Sequence, residues 1–206
     1  MARISNQSAY PAVAPQADDY LIGTDESQSL VTKTFALADI STFIKSGLNL
    51  GVTRVLSAAD TTNQVPSAID TPLQVKFGSA QGTVSDPVSL DASGTITFNT
   101  AGLYLFNGYA NFERQGGSGG VAIVLFRALV NDVQSGVVKM VELDQTGVAI
   151  PYEITIPLNV SQGDTLKYQI LQDSTGVDEG GLYPHVNGSS WDDVPSTSIN
   201  IFKVGI

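Results

Sequence analysis

The side chains able to do chemistry are few. His185 is the only histidine in 206 residues, and there is no cysteine. No histidine pair can hold zinc, no Ser-His-Asp arrangement has more than one base to draw on, and thiol nucleophiles, disulfides and Cys-bound metals are excluded. Neither G-x-S-x-G nor G-x-x-x-x-G-K-[ST] occurs. Glycan cleavage needs two carboxylates converging across a groove, and Glu113, Glu142, Glu153 and Glu179 are scattered without pattern. Asp178-Glu179 and Asp192-Asp193 offer the hard oxygens that calcium takes, without EF-hand spacing, and read as solvated loop acids. The run Gly116-Gly117-Ser118-Gly119-Gly120 precedes a strand rather than a helix, so it reads as a hairpin loop and not a phosphate cradle. The chain is expected to be no enzyme, with no cofactor and no metal.

One segment carries recognition chemistry instead. Residues 173–197 are long, polar and Gly-rich, yet hold Leu182, Tyr183, His185 and Trp191, the only tryptophan. Long connections of this kind tend to be functional, and Tyr and Trp are common binding anchors. Tyr183, His185 and Trp191 are the candidate ligand contacts. The competing reading is that these rings pack beneath the loop or into a neighbouring subunit, and both stay open.

These residues must be positioned by strands, and residues 95–112 organise the rest. Ile96 and Phe98 alternate with Thr95, Thr97 and Asn99, the period of two of a half-buried strand. Asn99-Thr100-Ala101-Gly102 is turn chemistry, with Gly102 free to take a positive φ. Beyond the turn, Tyr104, Phe106, Gly108, Ala110 and Phe112 share one face, and Leu103, Leu105 and Tyr109 the other. A strand apolar on both faces is covered on both. One cover is the chain's own sandwich, and a second subunit is the natural candidate for the other. Phe98, Tyr104, Phe106, Tyr109 and Phe112 are the expected core and trimer-interface residues. Apolar residues 121–130 between turn signals, then 137–143, 148–157 and 166–172, read as further strands, with Pro151 and Pro157 marking an edge.

The same residues carry a resemblance. Phe98 followed by Gly102-Leu103-Tyr104-Leu105-Phe106 resembles the F…PG-x-Y-x-F signature of C1q/TNF-like jelly rolls, with Ala101 where proline is usual. The turn Asp91-Ala92-Ser93-Gly94 stands ahead of it in the right place. Residues 125–131 (LFRALVN) resemble the family's L-x-x-N-G strand end, with Asp132 for the glycine. Residues 158–166 resemble its L-x-L-x-x-G-D-x-V segment, and residues 198–204 (SINIFKV) stand where its last strand lies. The resemblance covers about 73–204 and implies an all-β, jelly-roll β-sandwich of ten strands, assembled as a homotrimer.

Composition agrees. Sparse charge and frequent Gly, Val, Ile, Thr and Ser are all-β usage. Twenty acidic residues against ten Lys plus Arg argue against a nucleic-acid surface, which needs a basic patch. The first residues contain no apolar signal core, and no apolar run is long enough to span a bilayer, so neither export by a signal nor membrane insertion is expected.

Residues 1–50 form a separate segment: an extended Pro-containing start, two short strands at Tyr20-Leu21-Ile22 and 29–35, then a short helix. The helix is marked by the stripe Leu37, Ile40, Phe43, Ile44, with Asp39 in its first turn and Gly47 placed to close it. So small a unit cannot offset its own ordering entropy and must dock on something. Arg3, Ile4, Ser5, Asp19, Leu21, Ile22, Thr32, Lys33, Asp39 and Ile40 resemble the N-terminal leader of many tailed-phage fibre and virion proteins, a polar start followed by D-x-L-(I/V)-G, T-K-K and a D-I helix. That resemblance implies attachment to a particle. The plainer reading is a hairpin-helix cap on the sandwich.

The expected organisation is therefore an attachment leader over 1–50, a linker over 51–72 with one short strand at 53–56, and a jelly-roll head over 73–206. The expected role is a structural protein of a phage virion, a trimeric short fibre, knob or decoration protein. Its partners would be capsid, tail or baseplate proteins and a host surface glycan or protein. The alternatives are a soluble C1q-like ligand-binding module and, further off, a glycan-cleaving enzyme.

Overall fold

The structure is a computed structural model and describes residues 20–25, 31–48, 51–81, 87–116, 119–177 and 179–205. The chain forms two compact units, Met1–Gly51 and Val52–Ile206. In the first, β1 (Tyr20–Asp25) and β2 (Val31–Ala36) pair antiparallel with Tyr20 opposite Ala36, and α1 (Leu37–Leu48) follows directly. Asp39 lies in the first turn of α1, and the helix runs one residue beyond Gly47. Two strands and twelve helical residues offer little surface to bury against. Ile44, from the helix's apolar stripe, is left 48% exposed.

The second unit is a sandwich of β3 (Val52–Asp60), β4 (Leu73–Gln74), β5 (Ser79–Ala80), β6 (Val88–Leu90), β7 (Ile96–Phe98), β8 (Gly102–Arg114), β9 (Ala122–Val130), β10 (Val133–Leu143), β11 (Ile150–Val160), β12 (Thr165–Gln172), β13 (Gly180–Leu182) and β14 (Thr197–Val204). The first sheet runs β11-β8-β14-β3-β5, with β13 added on β8, and the second runs β10-β9-β12-β7-β6, with β4 on β12. Every strand pair within the two sheets is antiparallel. From β7 onward the path crosses from one sheet to the other between β7 and β8, β8 and β9, β10 and β11, β11 and β12, and β12 and β13, which is the wrap of a jelly roll. The two antiparallel sheets match the all-β sandwich that residues 73–204 implied, with six strands in each rather than ten in all.

The stretch 95–112 is accordingly not a hairpin: β7 and β8 lie in opposite sheets, joined by a turn at which Gly102 takes φ +147°. β8 and β9 likewise lie in opposite sheets, so the glycine run, of which Gly117 and Ser118 lie outside the described residues, does not join a hairpin. A tight hairpin joins β9 to β10, whose two connecting residues, Asn131 and Asp132, both have positive φ, as a type I′ turn demands.

The expected linker over 51–72 is corrected. Residues 52–60 are a nine-residue strand of the first sheet, paired along their length with β14 from Val52↔Val204 to Asp60↔Thr197. The register skips Val55, and this bulge turns both Val55 and Leu56 inward. The core therefore begins at Val55, well before residue 73.

That core is aromatic. Tyr168 of β12 stacks on Phe106 (centroids 4.9 Å apart) and on Phe126 (5.1 Å), with Phe77 edge-on at 6.1 Å. Phe98 and Tyr104 form a second pair at 4.9 Å, and Tyr104 Oη donates to Thr100 O. Gly108 is required here: a Cβ would lie 2.5 Å from Cε1 of Phe106.

Candidate functional site

Strand β8 sorts its side chains as the period of two requires. Phe98, Tyr104, Phe106 and Phe112 are buried within the protomer, so these four expected interface residues are core residues of a single chain. Tyr109 points to the other face, where it is half-buried. There it lies opposite Glu153 of β11 and Ser198 of β14. Partial burial, and then the Glu153 carboxylate, raise the Tyr109 phenol above its usual pKa.

This outer face of the first sheet is built in rows. Pro157, Leu105 and Phe202 lie side by side, with Leu103 and Val204 in the next row. Leu103 is 43% exposed and Leu105, Phe202 and Val204 are only partly covered. One step further along, Thr155, Asn107 and Asn200 form a polar row, and Asn107 Nδ2 donates to Thr155 Oγ1 at 3.5 Å.

A second apolar surface lies at one margin of the sandwich. β10 and β11 are the outermost strands of their sheets on that side, and a groove of about 420 Å³ opens between them. It is lined by Phe126, Val137, Tyr152, Ile154, Ile156 and Tyr168. Pro151 and Pro157 lie on β11, an edge strand, as proline demands. β10 is bulged between Ser135 and Lys139, and Val133, Val137, Val138 and Met140 are exposed along it. Burial drives the Tyr168 phenol far above its ordinary range, and its hydroxyl has no hydrogen-bond partner among the described residues.

The third region is the loop segment 173–197, which has structure of its own. β13 pairs with Phe112, Glu113 and Arg114 at the end of β8. Gln64 and Leu182 exchange backbone bonds at 2.9 Å, as do His185 and Val194 at 3.0 Å. Asn111 Nδ2 donates to Tyr183 O at 2.8 Å, and Tyr183 N to Asn111 O at 3.0 Å. Tyr183 is 7% exposed, so its ring lies beneath the loop and the expectation of an accessible contact is corrected for this residue. His185 is exposed, and Trp191 is 81% exposed at the tip of the 185–194 hairpin. The structure thus separates the three rings rather than gathering them. Because Thr197 lies opposite Asp60 and Val204 opposite Val52, the loop sits at the end of the sandwich away from Val52.

The remaining candidates are dispersed. Glu153 alone of the four scattered glutamates lines the β10–β11 groove. Glu113 is buried and accepts Gln115 Nε2 at 2.7 Å, Glu142 is exposed on β10, and Glu179 has a positive φ. No group of three metal-ligating side chains occurs among the described residues. Asp178 lies outside them, as do Arg3, Ile4, Ser5 and Asp19 of the leader. Leu21 and Ile22 fall on β1, Thr32 and Lys33 on β2, Asp39 and Ile40 on α1. The uncovered β10 edge is what sequence reading missed; VQSGVVKMV, apolar without alternation, was the signal for it.

No family model matches the chain, and no curated protein does. Among solved structures, the chain is similar to the globular domain of zebrafish complement 1qA protein, at 13% identity and a TM-score of 0.40, over 72% of this chain and 95% of that one. It is also similar to the Eiger TNF of S. frugiperda, at 13% identity and a TM-score of 0.46, over 75% of this chain and 93% of that one.

Proposed function

We propose that this chain is a structural protein of a tailed-phage particle, a homotrimeric short fibre, knob or decoration protein. Its first fifty residues fix it to the capsid, tail or baseplate, and its sandwich projects outward to meet the host surface. It catalyses nothing. The observation that carries the assembled state is the pair of apolar surfaces the sandwich leaves uncovered, the Leu103–Leu105–Phe202 face and the β10–β11 groove. Surfaces of this kind mark interaction sites on soluble proteins. The two differ in shape and lie on different parts of the protomer, so a contact between them is heterologous, the kind that builds a ring when its rotation closes. The sequence resemblance sets the number at three.

What supports the particle role is the leader: its residue pattern, its separation as a compact unit and the exposed Ile44 of α1. The test is incorporation. The full chain and a variant lacking residues 1–50 are each supplied during particle assembly, and purified particles are assayed for the protein. The reading requires that the full chain be incorporated and the truncated one, still trimeric, be left behind. Incorporation of both at equal levels contradicts it.

A further inference from the structure

We propose that the outer face of β3 and β14, beneath the Trp191 hairpin, is a binding groove for a neutral carbohydrate. The proposal deepens the reading of the sandwich as the part that meets the host surface and rests on it for its biological meaning.

A groove of about 520 Å³ lies there, wholly within the second unit. Its floor is made of small side chains, Ser57 and Ala59 from β3 and Ser198 from β14, which let a ring approach the sheet closely. Its walls carry Gln81, Asn200 and Asp192. The paired register Ser57↔Asn200 and Ala59↔Ser198 fixes floor and wall on one rigid sheet face. Gln81 is tied to the same strand by its backbone, N to Ser57 O at 2.6 Å.

The chemistry of the walls selects the ligand class. Two carboxylates, Asp192 and Asp193, line the groove and no Lys, Arg or His does, so an anion is repelled. The lining is mainly hydroxyl, amide and carboxylate, which disfavours an apolar ligand. What remains is a neutral molecule rich in hydroxyl donors, to which carboxylate and amide oxygens are suited as acceptors.

Trp191 stands beside the groove in sequence, although its own ring is not among the residues that line it. It precedes Asp192 and is 81% exposed. The hairpin that presents it is pinned by the backbone pair His185 with Val194 and by side-chain acceptors: Asn187 N donates to Asp193 Oδ1 at 2.7 Å, Ser189 N to Asn187 Oδ1 at 3.0 Å and Trp191 N to Ser189 Oγ at 3.2 Å. A large ring held in water by a fixed backbone is a preorganised apolar platform, the kind of surface on which the C–H face of a pyranose stacks.

As the chain has one tryptophan, its fluorescence reports the hairpin beside the groove alone. The full chain is titrated to millimolar concentration with neutral gluco-, galacto- and N-acetylglucosamine oligosaccharides, and with sialylated and sulfated ones. Binding is read by tryptophan emission and by calorimetry. The proposal expects at least one neutral series to bind with a saturable emission shift and the anionic ones to bind more weakly. Asp192→Ala and Asn200→Ala should each weaken it by about tenfold, and Trp191→Ala by at least as much in calorimetry, as for loss of a central anchor. All three variants should keep the wild-type mass and melting temperature. No saturable binding by any neutral series overturns the proposal, as does binding that Asp192→Ala and Asn200→Ala leave unchanged. Chain mass and particle incorporation are measured separately, so failure here is distinct from failure of the trimeric particle reading.

Discussion

The two faces of β8 are built from the same thirteen residues and have opposite fates. Inward, Tyr104, Phe106, Ala110 and Phe112 are sealed against the second sheet. Outward, Leu103, Leu105 and Tyr109 remain partly wet although two of the three are as apolar as anything in the core. The inner face is satisfied by one chain and specifies the fold. The outer face is unsatisfied by one chain and, on our reading, specifies the assembly. A residue's hydrophobicity alone does not tell these roles apart; the partner it lacks does.

The contrast can be broken from either side. Phe106→Ala removes the ring that stacks on Tyr168 and should cost about 3–5 kcal/mol of folding stability, the usual range for a buried aromatic. Urea denaturation would show the midpoint falling with little change in slope. Leu105→Glu, one position away, should leave the protomer folded by circular dichroism but shift the mass from three chains to one. Asn107→Glu, on the same outer face but already exposed in a polar row, should do much less to either, within about 0.5 kcal/mol on stability. Equal disruption by the two outward glutamates would mean that the apolar row has no special part in assembly.

A smaller effect sharpens the fold side of the comparison. Asp91 holds the turn before β7, its Oδ1 accepting Ser93 N at 2.9 Å, Ser93 Oγ at 2.7 Å and Thr95 N at 2.8 Å. The Ser93 hydroxyl first, with the backbone bonds, holds its pKa below the ordinary carboxylate value. Hydrogen bonds do the same for Asp164, chiefly from Asn131, and for Asp173, chiefly from Thr175. A carboxyl depressed in the native state binds its proton more weakly there than when unfolded. The stability it gives is complete above the unfolded pKa of about 3.9 and drains as pH falls through the native values. The melting temperature should thus be flat from about pH 7 to 5 and decline below about 4. Asp91→Ala should lower the plateau by about 1 kcal/mol and flatten part of the acid decline. A variant that melts lower but keeps the full acid slope would assign that slope to other groups.

How much was legible in the sequence follows the same division. The period of two in β7, β8 and β12 and the turn chemistry at Asp91, Asn131 and Gly163 predict strands and connections that the structure contains. β3 was legible only in part: a short strand was expected at 53–56, but its bulge points Val55 and Leu56 to the same side and erases the alternation that would have carried the strand on to Asp60. The crossing of β7 to β8 was also hidden: a turn sequence fixes local geometry, not which sheet the next strand joins. In the candidate site, where sequence left contact and packing both open for the three rings, Trp191 and His185 are exposed and Tyr183 is buried. The bonds of its backbone to Asn111, 72 residues away, draw it under the loop, and nothing near it in sequence announces that.

The most direct test of the central claim, that one chain leaves the sandwich incomplete, is the mass of the full chain in solution. Multi-angle light scattering at micromolar concentration and neutral pH should give three chain masses, unchanged on tenfold dilution. A single chain mass at that concentration would contradict the account.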